Sequence, residues 1–124
     1  MAYAKELVGA GLPSQTAAAI GGQYNAVTAA GSSQSDAAAL NASMAVVASA
    51  DGAKGVILTG QAGDEVWVFN NSASTLKVYP PTGAAISVAG TGLGSANAAF
   101  SHLTYKAVIY KCFTSTQWIA VTTA

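Results

Sequence analysis

The sequence predicts a mainly β protein: an antiparallel β-sandwich or barrel-like body over residues 23–124, preceded by a short α-helical segment at residues 1–22. Three observations carry that expectation. The stretch from Lys54 to Pro81 holds three apolar runs, cut by Gly-rich and Asn/Ser-rich turns. Within it Val66 and Val68 alternate with Trp67 and Phe69, and Leu76 and Val78 with Lys77 and Tyr79, so each set lies on its own face of a sheet. Turn signals recur roughly every 8 to 12 residues, the spacing of short strands in an antiparallel sandwich or barrel.

In chain order, Ala4 to Ala10 reads as a short helix with Tyr3/Leu7 and Ala4/Val8 four residues apart, and Gly11 stops it. Pro13 suits the first turn of a second helix running through Ala17, Ala18, Ala19 and Ile20, which Gly21 ends. Helices this short are marginal in isolation and need a surface to lie on, either this chain's own sheet or a neighbouring protein. From Tyr24 onward the pattern is β, with strands expected at 25–30, 43–49, 55–59, 65–70, 75–79, 84–88, 105–113 and 117–122. Gln34 to Leu40 is ambiguous, its alanines favouring helix and its neighbours strand. Asn70-Asn71-Ser72 supplies the turn between the two strongest strands. Pro80-Pro81-Thr82-Gly83 breaks a ladder and belongs at an edge or corner. Gly90 to Ala99 reads as a flexible loop, and the runs YKAVIYKCF and QWIAV as a hairpin around Thr114-Ser115-Thr116.

Composition narrows the function classes. Charged residues make up 8% of the chain and the formal net charge is zero, against about 25% charged in an ordinary soluble domain. Such a chain tends to associate or to live inside an assembly. All five basic residues are lysines, at 5, 54, 77, 106 and 111, which disfavours nucleic-acid binding, where arginine's bidentate fork is preferred. Glu6 interrupts any apolar signal region, and no apolar run approaches the ~20 residues that span a bilayer, so neither export nor membrane insertion is expected. One sandwich core covers one face of a sheet, yet Val66, Trp67, Val68 and Phe69 all favour burial. The second apolar face points to helix cover, which the amino-terminal helices could supply, or to contact between copies, with Trp67, Phe69 and Tyr79 as the expected oligomer interface.

Reactive chemistry is sparse. Cys112 is the sole cysteine, which excludes an internal disulfide and a thiolate metal cluster, and its apolar run suits a small buried hydrophobe. His102 is the sole histidine, with no second metal ligand or catalytic partner near it in sequence. The serines, among them Ser14, Ser32 and Ser33, lie in no nucleophile elbow. Gly90-Thr91-Gly92-Leu93-Gly94 lacks the lysine and Ser/Thr of a phosphate loop. Asp64 and Glu65 are adjacent, so on a strand their carboxylates diverge. Asn41-Ala42-Ser43 and Asn70-Asn71-Ser72 match a glycosylation sequon that matters only in a secretory pathway. Tyr79, Tyr105, Tyr110 and Trp118 are weighed as a carbohydrate platform, with core or interface filling the favoured reading. No catalytic residue, metal or cofactor is expected, and an enzyme is disfavoured.

The run GVILTGQAGDEVWVFNNSASTLKVYPPTGAAIS, Gly55 to Ser87, resembles a module recurrent in tailed-bacteriophage proteins. The matching features are the strand Gly55 to Leu58, the turn Gly63-Asp64, the strand Val66 to Asn70, the polar turn Ser72 to Ser74, Leu76 to Pro80, and Gly83. Thr28 to Gln34 and Gln117-Trp118 look like that family too, and Glu6 to Pro13 resembles a short attachment segment of phage virion proteins. The resemblance implies a structural virion protein, a capsid decoration (cement) or head-fibre protein, made in the host cytoplasm and carried on the capsid surface. It implies a homotrimer whose partner is the major capsid protein or another virion protein. Apolar helix spacing selects Leu7, Val8, Leu12 and Ile20 as the docking face. The alternatives are a tail-associated fibre or adaptor, and a carbohydrate-binding module that takes a host-surface glycan.

Overall fold

The computed structural model describes residues 24–89 and 91–122. The expected helices, and with them Leu7, Val8, Leu12 and Ile20, lie outside the described residues. Ten strands follow in order: β1 (Tyr24–Thr28), β2 (Ala38–Leu40), β3 (Met44–Ser49), β4 (Gly55–Leu58), β5 (Glu65–Asn70), β6 (Leu76–Tyr79), β7 (Ala85–Val88), β8 (Phe100–His102), β9 (Ala107–Thr114) and β10 (Gln117–Thr122). They form a six-stranded sheet in the order β1-β3-β5-β9-β10-β7 and a four-stranded sheet in the order β2-β4-β6-β8. The protein is mainly β, as expected, and among the described residues both sheets have open ends and no barrel closes.

The expected antiparallel pairing is corrected. From β1 to β6 the chain alternates between the sheets, so that β1, β3 and β5 run parallel in one and β2, β4 and β6 parallel in the other. The chain therefore winds as a flattened coil, each turn laying one strand in each sheet. Register partners lie 20 and 23 residues apart in the first sheet (Tyr24↔Met44, Met44↔Trp67). In the second sheet the spacing is 18 and 22 residues (Ala38↔Val56, Val56↔Val78). Parallel neighbours need a crossover of about a dozen residues or more, and here each crossover contains a strand of the opposite sheet. Short turns therefore join strands that face one another across the core and are not paired. The Asn70-Asn71-Ser72 turn is one such crossing, and Pro80-Pro81 marks another, where the Gln34 side-chain amide donates to the Pro80 carbonyl at 2.7 Å.

The coil ends in an antiparallel cap. β8 pairs antiparallel with β6, and β9 with β5. The β9–β10 hairpin forms where the sequence places it. Its position was not legible: it is inserted between β5 and β7, with β7 parallel to β10 at the sheet's far edge. Two short elements complete the fold. Gln34–Asp36 form a 3-10 turn whose Asp36 carboxylate accepts from the Ser32 and Ser33 amides, and β2 follows it. β8 interrupts what read as an unassigned stretch.

The core lies between the sheets. Val47, Val66, Val68, Val108, Tyr110 and Trp118 face inward from the first sheet, and Leu40, Val56, Leu58, Leu76 and Val78 from the second. The segment 91–97 runs along the free edge of β7, bridging Val88↔Gly92 and Ala85↔Ala96. A Cβ on Gly94 would lie 2.0 Å from the Ile86 carbonyl oxygen, so only glycine permits that approach.

Candidate functional site

Alternation along each strand of the first sheet sends half of its side chains outward, and pairing register brings them into rows. Met44 on β3 lies opposite Trp67 on β5, Trp67 opposite Ile109 on β9, and Ile109 opposite Val121 on β10. Tyr24, the first residue of β1, holds the next register position beyond Met44. A second row, Ala26, Val46, Phe69 and Ala107, runs beside it. Met44, Trp67 and Val121 are each 46% exposed, and Val46, Phe69 and Ile109 are half-buried. The result is an outward apolar surface crossing five strands.

Polar groups line one margin of the Trp67 row. Glu65 lies opposite Lys111 in register. The Trp67 indole N–H donates to Glu65 Oε1 at 2.9 Å, and the Lys111 ammonium donates to the Gly63 carbonyl at 3.0 Å. Because the indole's single donor is taken by the neighbouring carboxylate, Trp67 presents hydrocarbon outward. Of the three expected interface residues, the structure brings Trp67 and Phe69 together on this face. Tyr79 belongs to the other sheet and is 8% exposed, its ring so close to Gly55 that a Cβ there would meet it at 2.8 Å.

The other candidates resolve into structural roles. His102 is fully buried; its Nε2 lies 2.6 Å from the Lys106 carbonyl and its Nδ1 2.9 Å from the Tyr110 hydroxyl. A carbonyl only accepts, so Nε2 carries the proton and Nδ1 accepts from Tyr110. Burial pushes the imidazole's pKa below its ordinary 6.5, opposed by the Lys106 hydrogen bond, and pushes the Tyr110 phenol well above its usual range. Neither a carboxylate nor a serine is among the partners of the His102 ring. Beside it, buried Asn70 donates to the carbonyls of Ser74 at 2.8 Å and His102 at 3.2 Å, while its own side-chain oxygen accepts from the Ser72 hydroxyl at 2.7 Å. This polar corner ties the crossing from β5 to β6 to the turn from β8 to β9.

Cys112 is 1% exposed, and burial, with the nearby Asp64 charge, raises its thiol pKa. Asp64 closes its own turn by accepting from the Gln61 amide at 2.9 Å, so it and Glu65 serve different partners. Tyr110 and Trp118 are fully buried and Tyr79 nearly so; Tyr105 alone of the four weighed aromatics is exposed, at 60%. The four do not form a platform. Among the described residues no group of His, Cys, Asp and Glu is arranged to hold a metal ion, and no helix is long and apolar enough to cross a membrane.

The sequence showed that β5 has two apolar faces but not that the outer one continues through Met44, Ile109 and Val121. That continuity depends on pairing register. The polar corner had a readable signal: Asn70 is in phase with Val66 and Val68, which places it inside. Comparison with family models, with curated proteins and with solved structures gives no match.

Proposed function

We propose that this chain is a structural protein of a tailed-phage virion, a decoration or head-fibre protein held on the capsid through residues 1–22 and associated there as a homotrimer. The observation that carries the reading is the outward apolar surface of the first sheet, centred on Trp67 and Phe69. A chain with 8% charged residues leaves two adjacent rows of hydrocarbon facing outward, with polar groups along one margin. The largest contiguous apolar patch on a monomer, roughly 300–600 Å², is often a functional surface. The resemblance of Gly55 to Ser87 and of Glu6 to Pro13 to phage modules supplies the biological setting. In this reading the work is mechanical: weak apolar contacts, repeated by symmetry, raise the avidity of each copy for the shell.

The glycan reading has less support, since three of its four rings are inside. The test is co-expression with the cognate major capsid protein. The unaltered chain is expected to purify with the assembled shells, and a Leu7→Asp/Val8→Asp variant to be lost from them at least tenfold. Equal retention of the variant would remove the attachment role of the first segment.

A further inference from the structure

We infer that in the free protein the outer apolar face of the first sheet is covered by residues 1–23 of the same chain. Tyr24 holds the end position of the row Met44, Trp67, Ile109 and Val121, so the preceding chain enters the sheet at the margin of this row. Four inter-strand spacings of about 4.8 Å make the row roughly 19 Å long. Twelve residues separate Leu12 from Tyr24: the eight steps from Leu12 to Ile20 rise roughly 12 Å at about 1.5 Å each in the expected helix, and the four beyond the glycine stop span up to roughly 13 Å when extended. Leu12 can therefore reach Val121 while Ile20 stays near Met44. Leu7, Val8, Leu12 and Ile20 supply the apolar side chains that such a seat takes.

Area decides between this occupant and a second copy. Two rows about 7 Å apart along strands spaced about 4.8 Å offer a few hundred Å², well short of the ~800 Å² per partner of a stable interface. A face this small is weak between separate molecules. A covalently attached segment meets it at a millimolar-scale effective concentration, and two or three apolar contacts then suffice. The consequence rests on the proposed function: a segment that grips the shell must leave its seat, and its departure uncovers Trp67 and Phe69 for the neighbouring copies. Attachment and association between copies are thereby coupled, and the free chain stays apart until it meets a shell.

Two measurements on the full chain, without any shell, test the seat. Trp67 and Trp118 are the only tryptophans, and Trp118 is fully buried, so acrylamide quenching at sub-micromolar concentration isolates Trp67, with Trp67→Phe as the reference. Trp67 is expected to be shielded in the unaltered chain and to become severalfold more quenchable in Leu12→Asp/Ile20→Asp. An accessible Trp67 in the unaltered chain, or shielding that disappears on dilution as a second copy leaves, would overturn the inference. A Leu12→Cys/Val121→Cys chain supplies a readout that does not depend on the acidic variant folding. Oxidation is expected to give an intrachain disulfide, and a disulfide-linked dimer or no crosslink counts against the seat. Loss of shell binding would leave these results standing, so failure of the seat and failure of the virion reading are separable.

Discussion

His102 shows how much one residue settles at this scale. Its two ring nitrogens are both engaged inside the core, one donating to Lys106 and one accepting from Tyr110. Tyr110→Phe leaves the imidazole acceptor buried without a donor, which costs about 1–3 kcal/mol; urea denaturation of the two proteins checks it. The pH dependence follows from the depressed histidine pKa. Below the ordinary value of 6.5 the unfolded chain takes up a proton that the buried ring resists, so this contribution is complete above pH 6.5 and is lost as the pH falls towards the lower native value. The urea midpoint is therefore expected to fall between pH 7.5 and pH 5, and the fall to shrink in His102→Gln. Asp36 and Asp51, whose carboxyls are held below their ordinary range by backbone hydrogen bonds, shed their contributions only in more acidic solution.

At the scale of elements, the strands were readable and their directions were not. Alternation set Val66 and Val68 on one face and Trp67 and Phe69 on the other, and the C-terminal hairpin was evident from its turn. Direction and neighbour are set by which strands meet across a sheet, and a short turn serves a sheet-to-sheet crossing as well as a hairpin. β2 and β8, three residues each, are too short to carry a period and take their conformation from β4 and β6. The outer face was half legible for the same reason: its Trp67 and Phe69 share one strand, whereas Met44, Ile109 and Val121 join only through pairing. The inserted hairpin makes its own prediction. Trp118 sits inward opposite Cys112 in register, and Trp118→Ala removes a large core side chain at a cost of about 3–5 kcal/mol. Loosening that hairpin is expected to expose the neighbouring thiol, so Cys112 reacts slowly with an aromatic disulfide reagent in the unaltered protein and at least tenfold faster in the variant.

The whole molecule pairs a closed core with an open apolar surface. Two sheets bury their facing residues, while the outer face of the larger one presents Met44, Trp67 and Val121 in a row that begins at the entry point of the first 23 residues. Low charge, a segment rich in apolar positions and a face too small for a stable pair fit a protein that functions as one copy among many on a scaffold. Trp67→Asp takes hydrocarbon from this face and is expected to weaken association between shell-bound copies, read as fewer copies of this chain on purified shells than the unaltered protein reaches. The most direct test of the account is the ratio of this chain to capsid subunits on purified shells at saturation. The account predicts a fixed, saturable ratio in multiples of three copies per site. Absence from the shells, or a ratio that rises without a plateau, would contradict it.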